Sequence, residues 1–298
     1  MRFSEEHSRH YREHGYAIVE NFLEPDELAR ARDEIEEYVP GWLGYAANPD
    51  GNRPDGWDQA PRSRRNLRFA FPGTQLNAIT LHPELRKFAA QMMGHDDLFC
   101  EQSDMSYKCT GHYADADQQM HMDYVNHTLV YPSSDPAYWQ TAYLIYYTDV
   151  DEDQAPTAVC SHQYYKDEIH WPAVYAREDR PELYDNEVKV TVPAGSLFAY
   201  SMRTFHRGTA FGKEAARVAQ FVTYAPAAHK WLGIVGWPEQ ALRPEFRDWV
   251  EKATPQEREL LGFPEPGHSY WCEETLAGVG ARYPGMDLRP YSEANQKV

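Results

Sequence analysis

The sequence predicts a mostly β fold with flanking helices and a core of the jelly-roll type. Short strand-like runs recur between Leu98 and Tyr224, and turn-forming stretches such as Tyr131–Pro136 separate them. Recurrent short strands with this spacing are typical of an antiparallel barrel or sandwich. Helical and irregular patterns come before and after these runs, which places the helices at the flanks of the β core.

Two helices and one strand are expected in the first 40 residues or so, and a third helix before the core. Ser4 is a suitable N-cap for a polar first helix, and residues 17–22 have the composition of a strand. A second helix begins near Pro25, since proline is favoured at the first helical position. Its apolar residues recur at spacings of three and four: Leu28, Ala31, Ile35 and Val39. Residues 81–93 predict a further helix, whereas residues 44–66 lack periodicity and predict a long surface loop.

The predicted core consists of six strand-like runs: 98–109, 119–130, 139–149, 187–192, 196–202 and 217–224. Residues 163–186 interrupt these runs and are interpreted as an insertion near the mouth of the barrel. A chain of 298 residues is compatible with a single barrel domain. We therefore interpret residues 1–298 as one domain with three segments, which are the N-terminal helices and first strand (1–97), the β core (98–225) and a C-terminal helical and irregular segment (226–298).

The composition argues against several classes of partner. A net charge of −17 disfavours nucleic acid and anionic membranes, because both bind basic patches. No early apolar run has the length of a signal peptide, and none approaches the roughly 20 apolar residues of a membrane-spanning helix. The four cysteines have no C-x-x-C pairing and are interpreted as reduced thiols. We therefore expect a cytoplasmic protein that acts on a small molecule, with its oligomeric state left open.

Two histidines and one aspartate form the candidate metal site. His121 and Asp123 occupy positions i and i+2 of a predicted strand, so their side chains point to the same face. His206 follows the mostly apolar strand run 197–202. Two imidazoles and one carboxylate on one face of an ion leave the opposite face open, an arrangement typical of non-haem iron(II) oxygenases. These three residues are therefore the candidates for both metal ligation and catalysis.

An arginine follows the second histidine at a fixed interval. Arg217 lies eleven residues after His206 and opens the strand-like run 218–224. A guanidinium cannot be deprotonated in a protein and is costly to desolvate alone, so a half-buried arginine needs a partner. Its planar fork suits a carboxylate bound through both oxygens.

In this order of H-x-D, distal histidine and arginine, the sequence resembles the phytanoyl-CoA dioxygenase-like branch of the iron(II)/2-oxoglutarate-dependent oxygenases. His14–Leu23 is similar to the N-terminal strand and turn of that branch, and Pro193–Phe198 is similar to the lead-in to its distal histidine. Tyr147–His162 resembles the segment that this branch usually ends in Gly-Ser-His. The resemblance covers residues 10–225.

The resemblance implies a double-stranded β-helix of cupin-like form, with Fe(II) and 2-oxoglutarate as cofactors and O2 as the oxidant. It implies that His121, Asp123 and His206 hold the metal and that Arg217 anchors the distal carboxylate of 2-oxoglutarate. Halogenating relatives have a small residue at the position of Asp123. The aspartate here therefore points to hydroxylation of a small organic molecule, with decarboxylation of 2-oxoglutarate to succinate.

Three further residues are candidates for binding 2-oxoglutarate. Lys108, on the strand before the H-x-D strand, could reach its other carboxylate, while Thr141 and Thr209 could each donate a hydrogen bond. The chain departs from the family at Asp153–Pro156, where Asn-Gly is usual, and at Cys160–His162, where Gly-Ser-His is usual. These departures concern the shape of one side of the pocket and not the metal ligands.

Two other functions are compatible with the same residues. A jelly-roll barrel can bind a metal or a small ligand without oxidative chemistry, because fold does not determine function. Such a protein has no need of a carboxylate anchor at Arg217, which argues against it. A hydrolase or isomerase that uses a divalent metal on the same triad would act without oxygen.

Overall fold

The computed structural model describes residues 2–49, 67–111, 115–128, 131–165, 168–170, 173–229, 232–233, 237, 243–268 and 270–295. Its α-helices are α1 (Glu5–His14), α2 (Pro25–Tyr38), α3 (Trp42–Ala47), α4 (Gln75–Thr80), α5 (Pro83–Met93), α6 (Tyr124–His127), α7 (Pro181–Asp185), α8 (Pro244–Lys252), α9 (Pro255–Glu259), α10 (Glu273–Arg282) and α11 (Arg289–Asn295). Within these ranges, no helix combines the length and the apolar character needed to cross a membrane.

The first helices form where capping and periodicity predict them. The Ser4 hydroxyl accepts a hydrogen bond from the His7 amide at 3.1 Å and so caps α1. The helix ends at Gly15, whose φ of 84° is left-handed and costs little without a Cβ. Pro25 opens α2, and its buried face includes Ala31 and Ile35. This face packs α2 against α3 and α4, within the apolar cluster that also includes residues on the outer face of the larger sheet.

In the described part of the chain, ten strands form two five-stranded antiparallel sheets. The strands are β1 (Tyr16–Val19), β2 (Leu98–Cys109), β3 (Met120–His121), β4 (Thr141–Tyr146), β5 (Thr157–Cys160), β6 (Val174–Tyr175), β7 (Glu187–Lys189), β8 (Leu197–Ser201), β9 (His206–Gly208) and β10 (Ala216–Pro226). The larger sheet has the order β1-β8-β4-β10-β2, and the smaller sheet has the order β6-β3-β9-β5-β7. The predicted mostly β jelly roll with flanking helices is confirmed.

The larger sheet is covered on both faces. All six positions of β4 are buried, and alternate residues belong to different apolar clusters. Leu144 and Tyr146 lie in the cluster between the sheets, together with Met120 of the smaller sheet. Tyr143 lies in the cluster on the outer face, against the N-terminal helices and the C-terminal segment. A strand buried on both faces does not show the alternation of apolar and polar residues that marks a half-exposed strand.

Two predicted boundaries are wrong, and the predicted insertion contains regular structure. The predicted strand 119–130 is a strand only at Met120–His121, after which the chain turns into α6; residues 129–130 lie outside the described ranges. The predicted loop 44–66 begins within helix α3, and its part from 50 onward lies outside the described residues. The predicted insertion 163–186 contributes β6 and α7, and β6 pairs with β3. The division of the chain into one domain with three segments stays a prediction.

Candidate metal centre and adjoining cavity

Strand pairing brings the two candidate histidines together. His121 of β3 and His206 of β9 are directly opposed in the smaller sheet. Side chains at opposed positions of antiparallel strands lie on the same face with their Cβ atoms about 5 Å apart. The two imidazole centroids are accordingly 4.6 Å apart. Asp123 lies two residues after the end of β3, at the N-cap of the short helix α6, and its carboxylate reaches the space beside both rings.

The ring nitrogens are arranged for metal binding. His121 Nδ1 lies 2.8 Å from the Gln119 carbonyl oxygen and His206 Nδ1 lies 3.0 Å from the Thr204 carbonyl oxygen. A carbonyl can only accept, so each Nδ1 carries a hydrogen, and the neutral form of each ring presents the lone pair of Nε2 to a metal. His121 Nε2 is 3.5 Å from Asp123 Oδ1, and His206 Nε2 is 3.4 Å from Asp123 Oδ2. One ligand atom from each residue lies within 4.8 Å of the others, so the three can hold one metal ion.

The charge of Asp123 also suits a metal ligand. Burial acts to raise its pKa, but the imidazoles of His206 and His121 outweigh that effect and hold the pKa well below its usual range. The carboxylate is therefore ionised at neutral pH. Tyr200 of β8 donates a hydrogen bond to Asp123 Oδ2 at 2.8 Å, and this contact helps to orient the carboxylate.

A cavity of about 430 Å³ adjoins the three residues and contains Arg217 in its wall. Arg217 is 5 % exposed, and its Nη1 donates to the carbonyl of Ala155, which belongs to the segment where the sequence departs from the family. Its buried Nε has no hydrogen-bond partner, and no carboxylate of the described residues pairs with it. Burial lowers the pKa of Arg217, because the charged guanidinium has left water. A buried cation with an unused donor is suited to an anionic ligand.

Lys108 lies at the same end of the cavity as Arg217. The two residues are directly opposed in the β2–β10 ladder. Lys108 Nζ donates to the Thr209 carbonyl at 2.8 Å. Burial and, next, the charge of Arg217 lower the pKa of Lys108 to about 8. This end of the cavity therefore holds two cations side by side.

The structure does not bring Thr141 or the Thr209 hydroxyl to the cavity. Thr141 bonds the Tyr11 hydroxyl at 3.0 Å, on the face of the larger sheet that α1 covers. Its neighbour Ala142 has the inward-facing position, so the predicted donor role is wrong by one residue of register. The Thr209 hydroxyl donates to the Pro156 carbonyl at 2.8 Å, and only its backbone carbonyl reaches Lys108.

Other lining residues are absent from the sequence prediction. Thr157 lies in the cavity wall near Arg217, with its Oγ1 3.2 Å from the Tyr146 hydroxyl. Tyr200 was missed although its strand was predicted. The alternation of β8 places Tyr200 on the same face as Phe198, but no local pattern shows that this face meets Asp123. At the far end of the wall, Arg68 Nε lies 3.0 Å from Asp104 Oδ1.

The comparison with family models decides which family this is. The model for phytanoyl-CoA dioxygenase matches residues 11–218, more than half of the chain. The chain belongs to the phytanoyl-CoA dioxygenase family. The family resemblance inferred from the sequence is therefore confirmed. No curated protein matches the chain.

Solved structures with the same fold include several enzymes. The non-haem α-ketoglutarate-dependent carbocyclase SnoK from nogalamycin biosynthesis has a TM-score of 0.54 at 20 % identity, with 76 % of this chain and 85 % of SnoK covered. EctD from S. alaskensis, crystallised with iron, has a TM-score of 0.54 at 16 % identity, with 78 % and 79 % covered. HygX from Streptomyces hygroscopicus, with nickel and 2-oxoglutarate bound, has a TM-score of 0.54 at 12 % identity, with 77 % and 89 % covered. At such identities the likeness shows the fold alone.

Proposed function

We propose that this protein is an iron(II)- and 2-oxoglutarate-dependent oxygenase that hydroxylates a small organic molecule. One observation carries the proposal: the triad of His121, Asp123 and His206 shares a cavity with Arg217, a buried cation with which no carboxylate of the described residues pairs. The triad provides the two nitrogens and one oxygen of a facial iron site. A metal site alone does not account for a buried arginine, whereas the distal carboxylate of 2-oxoglutarate would be a partner for it.

The roles of the residues follow from their positions. His121, Asp123 and His206 would hold iron(II), with their Nε2 and carboxylate atoms directed at one point. Arg217 would bind the distal carboxylate of 2-oxoglutarate, and Lys108 would add a second positive charge beside it. When bound, iron(II) and 2-oxoglutarate would supply the oxidising chemistry, with O2 consumed and carbon dioxide and succinate released.

The rest of the cavity would bind the substrate and exclude water. Leu144, Phe198 and Phe221 form an apolar part of the wall, which would bring a substrate close to the metal centre without bulk solvent. Asp123 occupies the third protein ligand position, so hydroxylation is favoured over transfer of a halide. The carbocyclase SnoK named among the similar structures bears on the fold alone, and the proposed reaction outcome rests on Asp123.

An anaerobic titration tests the proposal. Iron(II) and then 2-oxoglutarate are added to metal-free protein while the visible charge-transfer band of the chelate is recorded. We expect the band in the wild type and its loss in Asp123→Ala, because the variant lacks one of three metal ligands. In Arg217→Ala we expect the band only at about tenfold or higher 2-oxoglutarate concentration, since a charge-assisted contact is lost.

Matched controls separate these effects from the removal of any charge. Asp96→Ala and Arg12→Ala remove exposed side chains outside the cavity and should behave as the wild type. If iron binds but no band appears, the protein is a metal-binding barrel without oxidative chemistry. Turnover of a substrate in the absence of oxygen would instead indicate a hydrolase or isomerase.

A further inference from the structure

A single row of residues crosses the larger sheet along the cavity wall. Phe198 of β8 is paired with Leu144 of β4, which is paired with Phe221 of β10. Phe221 is paired with Asp104 of β2, and Asp104 forms a bridge to Arg68 at the edge. All five residues line the cavity. The row is therefore apolar over three strands and ends in an ion pair.

The row starts near the metal centre and ends away from it. Tyr200 lies two residues along β8 from Phe198, on the same face, and bonds Asp123. Arg68 lies four strand spacings from β8, which is about 19 Å along the sheet at the backbone level. Lys108 and Arg217 lie four residues further along β2 and β10 from this row. The ion pair is therefore distinct from the end of the cavity that we assign to 2-oxoglutarate.

The ion pair of Arg68 and Asp104 leaves hydrogen-bond donors without an acceptor in the described part of the chain. Asp104 Oδ2 accepts a hydrogen bond from Gln102 at 2.7 Å. The buried Oδ1 forms an ion pair with Arg68 Nε at 3.0 Å but no hydrogen bond with any described residue. The terminal nitrogens of Arg68 make no hydrogen bond to any residue in the described ranges, and its side chain is 45 % exposed. Because Oδ1 is buried, the groups open to a ligand are the donors of Arg68, so the matching ligand supplies acceptor oxygens.

A second arginine, Arg243, lies beside Arg68. Arg243 Nη1 and Nη2 lie 3.3 and 3.4 Å from the Arg68 carbonyl oxygen, so its charge lies close to the same segment. Arg243 Nε lies 3.9 Å from Glu245 Oε2, so this arginine has a carboxylate partner of its own and adds no net charge to this end of the cavity. The preference for an anion therefore rests on the terminal nitrogens of Arg68. The planar fork of an arginine fits a carboxylate through two parallel hydrogen bonds.

We infer that Arg68, positioned by Asp104, binds a carboxylate of the substrate, so that the molecule oxidised is an organic acid. The apolar part of this substrate lies along Phe221 and Leu144, so that one of its carbon atoms reaches the metal centre. The inference rests on the proposed function, because it treats the space between the row and the metal centre as the substrate site. Asp104 is a positioning residue, since its contact is with Arg68.

Binding calorimetry under anaerobic conditions tests this inference. The protein is first saturated with iron(II) and 2-oxoglutarate, so that Arg217 and Lys108 are occupied. Straight-chain monocarboxylates of increasing length are then titrated, with the alcohol and the amine of each length as neutral and cationic controls. We expect carboxylates of one length range to bind at least about tenfold more tightly than the matching alcohols and amines. Arg68→Gln should remove this preference, and Arg12→Gln should keep it.

Asp104→Asn separates positioning from charge. The substitution makes this end of the cavity more positive, so charge alone would tighten carboxylate binding. Loss of the contact to Arg68 Nε should instead weaken it severalfold, because the fork is no longer oriented. Tighter binding in Asp104→Asn would contradict the positioning of Arg68.

The chelate band distinguishes failure of the inference from failure of the proposed function. If the band forms but carboxylates bind no better than alcohols, the inference is overturned and the proposed function stands. The inference is also overturned, and the proposed function stands, if Arg68→Gln keeps the full preference for carboxylates over alcohols. If the band does not form before any carboxylate is added, the proposed function fails and the inference fails with it.

Discussion

Both carboxylate oxygens of Asp123 are contacted by neighbouring side chains. His121 Nε2 faces one oxygen, and His206 Nε2 and the Tyr200 hydroxyl face the other. The backbone carbonyls of Gln119 and Thr204 fix the two rings from behind. Contacts of this kind hold metal ligands in orientation before the metal arrives, which reduces the loss of entropy on binding.

Tyr200→Phe should weaken iron(II) binding without preventing it. The variant keeps the ring in the apolar cluster and removes only the hydrogen bond to Asp123 Oδ2. Loss of such an orienting contact typically costs about 10- to 100-fold in metal affinity. Competition with a chelator of known affinity would measure the change. Tyr164→Phe, at an exposed position, is the control; equal affinity in wild type and Tyr200→Phe would exclude the orienting role.

Lys108 should make 2-oxoglutarate binding depend on pH. Its pKa of about 8 means that the ammonium is charged at lower pH and neutral at higher pH. An anionic ligand beside it favours the charged form, so affinity is full below about pH 8 and falls as the pH rises through that value. We expect the dissociation constant, read from the chelate band, to increase above about pH 8.

Lys108→Arg is the matched variant for this experiment. Arginine stays charged throughout the range, so the dissociation constant should stay level where that of the wild type rises. Lys108→Met should bind more weakly than the wild type below about pH 8, and its dissociation constant should stay level across the range. A wild-type profile that does not change with pH would show that Lys108 does not contact the ligand.

Strands β4 and β5 show that the role of a side chain depends on the face of the sheet to which it points. Thr141 of β4 points to α1 and bonds Tyr11, whereas Thr157 of β5 lines the cavity. Both are threonines on buried strands, and their sequence contexts do not distinguish them. The difference comes from which sheet each strand joins and which face is turned inward.

Thr141→Val should therefore affect the stability of the fold, whereas Thr157→Val should affect the binding of 2-oxoglutarate. Thr141→Val should leave 2-oxoglutarate affinity unchanged and lower the free energy of unfolding by about 1 kcal/mol, because a buried hydrogen bond to Tyr11 is lost. Thr157→Val should weaken 2-oxoglutarate binding severalfold. Urea denaturation and the chelate titration measure the two quantities. The assignment is wrong if Thr141→Val is the variant with the weaker binding.

Helix α6 explains why the strand prediction around the metal site extended too far. Residues 119–130 have strand-like composition, but the chain turns at Asp123. His127, at the end of α6, bonds the buried carboxylate of Glu101, to which Gln140 also donates at 2.7 Å. These partners are far away in sequence, so the turn is stabilised by contacts that a local pattern does not contain.

In the molecule as a whole, the charge of the cavity opposes that of the chain. The net charge is −17, yet the cavity wall presents Arg68, Lys108 and Arg217 against Asp104 and Asp123. Without a ligand, the buried cations are incompletely compensated, which costs free energy. A bound dianion would relieve this cost, so ligand binding and fold stability are coupled.

Iron(II) and 2-oxoglutarate together should raise the midpoint of thermal unfolding. A ligand at 100 times its dissociation constant adds about 2.7 kcal/mol to the stability of the folded state. Removal of the metal with a chelator should reverse the shift. Asp123→Ala should show no response to iron, while Asp96→Ala responds as the wild type. Stabilisation by 2-oxoglutarate without metal in Arg217→Ala would contradict the proposed anchor.

Local signals singled out His121, Asp123, His206 and Arg217, and the structure brings all four residues to one cavity. The interval from His206 to Arg217 is a property of two consecutive strands, whereas the i and i+2 argument for Asp123 does not hold, because the strand ends at His121 and Asp123 is at the N-cap of α6. The mostly β core with flanking helices follows from periodicity in the same way. None of these signals depends on which strands are neighbours.

Long-range pairing decided the rest of the site. Tyr200 meets Asp123 because β8 faces the smaller sheet, and Arg68 meets Asp104 through a bridge at the edge of β2. Thr141 was misassigned for the same reason, since one residue of register moves a side chain to the opposite face. Register and face depend on how the whole core packs, and that packing is determined by contacts between residues that are distant in the sequence.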